Sequence, residues 1–195
     1  MTNEELKKID ATFRASPKTI NAHISVMESR DNTCRRALQA IRFECVCGTL
    51  RIISTNGRVM IVTETRIDNG GTPDFKFCVH ALPKINAKRA DIDSGGDAMF
   101  AVRDGLLSTG NLLTRITSGQ DYPNWSSVMS SSLEPETSWK SLDPKWYTLA
   151  VRLVGDAHMR PKRVVGSAYS PAYFEAQNET EHNTVVLMPL RTLED

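Results

Sequence analysis

The chain has no apolar run near the roughly 18 residues that a membrane span needs. Its opening, Met-Thr-Asn-Glu-Glu-Leu-Lys-Lys, lacks the apolar stretch of a signal peptide, so a cytoplasmic protein is expected. Neither sign of charge is in excess. Lys and Arg number 24 against 23 Asp and Glu, a net +1, so only local clusters can argue for or against a polyanionic partner. Cysteine is sparse: Cys34, Cys45, Cys47 and Cys78 form no Cys-x-x-Cys pair. His23, His80, His158 and His182 are scattered and make no His-x-x-x-His. No metal and no cofactor is therefore expected, and the thiols are read as buried and reduced, with Cys45 and Cys47 on one face of a strand.

Catalytic signatures are missing too. Asp97, Asp104, Asp121, Glu134 and Glu136 supply carboxylates, but none stands at a useful spacing from a histidine or cysteine. Ser126-Ser127 and Ser130-Ser131-Ser132 lie in no Gly-x-Ser-x-Gly context, and there is no phosphate loop or dinucleotide fingerprint. The chain is read as a non-enzyme.

What the sequence does hold is a run of short elements, an α+β pattern. Residues 1–12 read as a short polar helix or arm. Ser16 as N-cap and Pro17 at the first helical position start a helix to about Ser29, with Ile20, Ile24 and Met27 on one face. Leu38 to Phe43, Leu50 to Ile53 and Val59 to Thr63 are β-rich, the last two joined by a turn containing Asn56-Gly57. Phe75 to Val79 alternates as a strand, and Leu82-Pro83-Lys84 opens an expected short helix to about Arg89. Ala98 to Val102, Leu106 to Thr109 and Leu112 to Ile116 read as a meander. A Ser/Pro/Glu linker covers Ser130 to Thr137. A helix from Pro144 to Val154 follows, then strands at Val164 to Ala168, Tyr173 to Ala176 and Val185 to Met188. The pattern is a unit of strand, helix and three strands, recurring near residues 12–63, 75–117 and 137–190. Such units build antiparallel sheets with their helices on one face.

Three segments resemble one family, the bacterial DNA sliding clamp, which is the beta subunit of the replicative polymerase. Ser54-Thr55-Asn56-Gly57-Arg58-Val59-Met60 is similar to the family's A-T-D-G-H-R-L turn. Tyr122-Pro123-Asn124-Trp125, followed by Val128-Met129, is similar to its F-P-D-Y and V-[LIM]. Val186-Leu187-Met188-Pro189-Leu190-Arg191 is similar to its terminal V-V-M-P-M-R-L, and the gap from Leu38 to Thr55 equals the family spacing. The resemblance covers about one and a half clamp domains. It implies a clamp-like domain at 13–130, like the family's middle domain, and a half domain at 131–195.

The resemblance implies a processivity accessory of DNA replication that binds partner peptides in a hydrophobic pocket. Carried over by position, the pocket wall is Leu38, Thr55, Gly57, Arg58, Val59 and Met60 with Val186, Leu187, Met188, Pro189, Leu190 and Arg191. The expected partners are DNA polymerase, clamp-loader or repair proteins carrying short hydrophobic motifs, and double-stranded DNA bound without sequence preference. Three basic clusters are candidates for phosphate contact: Arg30, Arg35 and Arg36; Lys84, Lys88 and Arg89; and Arg160, Lys162 and Arg163. A homo-oligomer is expected, because half a domain leaves sheet edges open. A phage or another mobile element is the expected source. The alternative is a clamp-like interaction module or decoy that never encircles DNA.

Overall fold

Phe13 is buried between exposed Thr12 and Arg14, and this alternation makes Ala11–Ala15 the first strand, β1. A one-turn helix, α1 (Asn3–Lys7), precedes it, closed by a Thr2–Glu5 capping box. The structure is a computed structural model that describes residues 2–29, 38–67, 73–129, 133–135, 142–155, 162–164, 171–177 and 180–188. After β1 come α2 (Pro17–Met27), β2 (Ile41–Val46), β3 (Thr49–Thr55) and β4 (Val59–Arg66). Then follow β5 (Phe75–Val79), β6 (Ala98–Arg103), β7 (Leu106–Thr109) and β8 (Leu112–Arg115). The last third holds β9 (Leu133–Pro135), α3 (Pro144–Val154), β10 (Lys162–Val164), β11 (Ala172–Gln177) and β12 (Glu181–Leu187).

These strands form two antiparallel sheets. The smaller has the order β1-β6-β7-β8, and the larger, of eight strands, β5-β2-β3-β4-β12-β11-β10-β9. The smaller sheet and α2 cover one face of β5, β2 and β3. Phe13, Phe100, Phe43 and Phe77 meet there, with Phe13 and Phe100 centroids 5.2 Å apart. On the same face, α3 and the Ala22/Val26 side of α2 bury Val59, Ile61, Phe174, Val185 and Leu187. Both long helices therefore lie on one side of the large sheet. That sheet crosses the expected boundary near residue 130, because β4 pairs with β12 from Glu181↔Thr65 to Leu187↔Val59.

The repeat is imperfect. Strand, helix and three strands occur as β1-α2-β2-β3-β4 and as β9-α3-β10-β11-β12, but β5 is followed by a loop and turn where a helix to Arg89 was expected. The reason is a tertiary contact. Ile85 N–H donates to Asn21 Oδ1 at 2.8 Å, and Asn21 Nδ2 donates to Ile85 O at 2.9 Å, so α2 satisfies backbone groups that a helix would have paired internally.

Three further expectations are corrected. Cys47 is not on a strand face with Cys45: with Gly48 it makes the β2–β3 turn, at φ 50° and 74°, and its thiol is exposed. The linker contains β9, whose Leu133–Pro135 pairs with β10. The strand expected from Leu38 begins at Ile41, and of Val164 to Ala168 only Val164 belongs to β10, the rest lying outside the described residues.

Candidate functional site

The turn between β3 and β4 is built by its side chains. Asn56 Oδ1 accepts from Arg58 N–H at 2.9 Å and Val59 N–H at 3.0 Å, while Asn56 Nδ2 donates to Ser29 Oγ at 2.7 Å. Only Gly57 uses the left-handed region, at φ 88°, so this is a three-residue turn and Asn56 serves as its hydrogen-bonding hub. Thr55 Oγ1 accepts from Gly57 N–H and donates to Val59 O. A Cβ on Gly57 would stand 3.8 Å from Leu38 Cδ1, which places Leu38 against the turn.

The terminal strand lies alongside. Val186 is opposite Met60, Leu187 is opposite Val59, and Met188 N–H donates to Arg58 O at 2.9 Å beyond the last pair. Because side chains alternate, these pairs point to opposite faces. Met60 and Val186 face away from the helices, in one cluster with Ile53, Val62, Tyr122 and Tyr173, against which Met129 and Trp125 pack. Val59 and Leu187, each 1 % exposed, face the helices and belong to the core under α3. They hold the seam on the helix side, on the face opposite Met60 and Val186. Met188 is 42 % exposed just past the end of β12, beside exposed Gly57 and Arg58. Pro189, Leu190 and Arg191 lie outside the described residues.

Residues 118–129 form a strap across that outward face. Tyr122 Oη donates to Ile53 O at 3.2 Å, and Tyr173 Oη donates to Val128 O at 2.6 Å, so one tyrosine from the strap and one from β11 pin it down. Under the strap a near-buried ion pair joins Arg42 and Glu44, and the Arg42 guanidinium sits 5.3 Å from the Tyr122 ring centroid. Burial raises the Tyr122 hydroxyl far above the usual phenol range and pushes the nearby Cys78 thiol up to about 12, so both stay protonated at neutral pH.

The two long helices carry exposed cations. Neither α2 nor α3 contains an acidic residue, whereas exposed Lys18, Lys145 and Arg152 lie on them. Lys18, Lys84 and Arg152 line one groove with Asn21, Ser25 and Leu149. Of the sequence candidates, Lys84 is here, carried by the loop that Asn21 docks, and Lys88 and Arg89 follow on its exposed turn. Lys162 is not. It pairs with Tyr173 in register and bonds Glu175 at 2.5 Å, so it faces the outer side, away from the helices. Arg30, Arg35, Arg36 and Arg160 lie outside the described residues, as does the Arg163 side chain. Sequence reasoning missed Lys18, Lys145 and Arg152. Their signal was available: Ser16-Pro17-Lys18 and Asp143-Pro144-Lys145 place a lysine at the same position of two acid-free helices.

The architecture is that of a DNA sliding clamp. A protein assigned as a DNA polymerase III beta subunit from Eubacterium rectale superposes with a TM-score of 0.64 at 12% identity, over 94% of this chain and 66% of that one. The DNA polymerase sliding clamp from Pseudomonas aeruginosa gives 0.60 at 11% identity over 93% and 67%. That from Bacillus subtilis gives 0.60 at 12% over 95% and 65%. The chain thus spans about two thirds of the length of these proteins. At such identity the likeness is one of fold. No family model and no curated protein matches the sequence. Among the described residues, no helix is long and apolar enough to cross a membrane.

Proposed function

We propose that this chain is a clamp-like accessory of DNA replication. It takes short hydrophobic segments of polymerase, clamp-loader or repair proteins in the slot above Met60 and Val186, and it holds double-stranded DNA loosely against α2 and α3. No catalysis is involved. The observation that carries this reading is the β4–β12 seam. It sets the Asn56-Gly57 turn beside the terminal strand, with an apolar cluster on one face and the two acid-free helices on the other. A slot of this kind binds by burying Leu or Phe side chains, while the exposed backbone at its rim orients the peptide.

The test is fluorescence anisotropy with a labelled peptide of the Gln-Leu-x-Leu-Phe type. Met188→Asp places a charge at the exposed mouth without entering the core, and should weaken binding at least tenfold. Equal affinity for wild type and Met188→Asp would remove the slot.

A second reading keeps the slot but does not encircle DNA. It is favoured by the loop and turn that follow β5 where a middle helix is expected. Charge reversal of Lys18, Lys84 and Arg152 separates the two. In the leading reading it abolishes DNA retention and spares the peptide; in the second it changes neither. A homo-oligomer would join open edges such as β8, where Leu113 is 64 % exposed. A single species at monomer mass in light scattering would exclude a closed ring.

A further inference from the structure

The outward face of the large sheet carries more than the apolar slot. Moving along the strands away from Met60 and Val186, the side chains become polar and then charged. One charged row runs directly across the strands by register: Lys76 on β5, Glu44 on β2, Arg51 on β3, Glu64 on β4 and His182 on β12. From Lys76 to Glu64 the signs alternate, and these four charges cancel. Lys76 Nζ is 3.6 Å from Glu44, Arg51 Nε is 2.6 Å from Glu64, and His182 Nδ1 is 3.8 Å from Glu64.

Between this row and the strap lies a cleft of about 850 Å³, with Trp125 and Met129 along its side and Val62, Thr184 and Glu175 among its floor residues. Val62 and Thr184 follow Met60 and Val186 on the same faces of β4 and β12, and Met129 also packs on that cluster, so the cleft adjoins the proposed slot. One floor group is anomalous. Thr184 is 3 % exposed, yet its hydroxyl has no hydrogen-bond partner among the described residues. A hydroxyl buried in this way is unfavourable until something pairs with it.

We infer that this cleft takes the polar flank of the partner peptide, an extended and near-neutral segment whose main chain or amide side chain pairs with Thr184. The inference rests on the slot reading above. Length supports an extended chain: the floor crosses six neighbouring strands, from β5 to β11, about 24 Å at the usual spacing, which about seven extended residues would span. Charge supports a neutral one. The row is already paired, so a flank of a single sign meets as much repulsion as attraction, whereas amides can use the donors and lone pairs left on Arg51 and Glu64.

The experiment compares the five-residue hydrophobic peptide with versions extended by seven Ser/Asn/Gln residues at either end, each titrated against the whole chain by anisotropy. At least one extended peptide should bind five-fold or more tightly than the short one. Thr184→Val should erase that gain and leave the short peptide unchanged, and Thr184→Ser should restore it. Equal binding of all three peptides to wild type overturns the cleft and spares the slot. An all-acidic or all-basic extension that gains as much overturns the neutral class. Loss of binding for every peptide, short and extended, overturns slot and cleft together.

Discussion

His23 Nε2 lies 3.0 Å from Thr63 Oγ1 in a site closed to solvent. The Thr63 hydroxyl donates onward to Asn183 Oδ1 at 2.6 Å, so it must accept from His23, which places the imidazole proton on Nε2. Nδ1 is then the acceptor for Ser54 Oγ–H at 2.9 Å. This neutral chain ties α2 to β3, β4 and β12, and so fastens the two parts of the chain across the seam. Burial depresses the His23 pKa to about 3. The native state thus binds fewer protons than the unfolded state between the ordinary imidazole value and about pH 3. Stability falls as pH falls through that window, by about 1.4 kcal/mol per unit from this group. Urea midpoints at pH 7, 6 and 5, above the main carboxylate range, should decline in wild type and flatten in His23→Gln. An equal decline in both would refute the assignment.

Glu181 ties the same two parts at their edge. Its carboxylate accepts from Ser16 N–H at 3.1 Å and Thr19 Oγ1 at 2.7 Å, at the start of α2, where Ser16 makes no side-chain cap of its own. A residue of the last strand thus caps the first long helix. Glu181→Ala should cost about 2 kcal/mol, near the middle of the range for hydrogen bonds to charged groups, and hydrogen exchange should quicken in the first turn of α2. A change below about 0.5 kcal/mol would show that the cap contributes little.

Much of this fold is legible in the sequence because its signals are local. Pro17 and Pro144 mark helix starts, alternation marks Phe75–Val79, and Asn56-Gly57 marks a turn. The β4–β12 seam was reached through resemblance at both ends of the pair; nothing local in either strand names its partner. The loop at 81–86 was misread because its conformation is set by Asn21, far away in sequence, and Leu82, Ile85 and Pro83 suit a short helix as well as a docked loop. The division of Val59 and Leu187 from Met60 and Val186 follows from period-two alternation once the register is known. The strap is not legible in the same way, since nothing local to Tyr122 or Tyr173 announces which carbonyl each bonds.

Gly57→Ala tests the turn without crowding it. The nearest atom to the new Cβ would be Leu38 Cδ1 at 3.8 Å, an ordinary contact, so any cost comes from holding a non-glycine residue at φ 88°. That cost is about 1–2 kcal/mol in unfolding free energy. Asn56→Ala should cost more, because Arg58 N–H, Val59 N–H and Ser29 Oγ all lose a partner. A denaturant series in which Gly57→Ala is neutral would mean that the turn relaxes freely, and a preformed slot rim would then be untenable.

The helix face makes a quantitative claim about DNA. If Lys18, Lys84 and Arg152 each neutralise a phosphate, the logarithm of affinity should fall linearly with the logarithm of salt, and each cation should contribute about 0.9 to the slope. Replacing one of them by Gln should lower the slope by about that amount and weaken binding alike on unrelated sequences, since phosphate contacts carry no base information. Lys162→Gln is the internal control: its ammonium faces the other side of the sheet, paired with Glu175, so its salt slope should match wild type. Should Lys162→Gln lower the slope while Lys18→Gln leaves it alone, DNA would lie on the outer face, and the assignment of helices to DNA and outer face to peptides would have to be reversed.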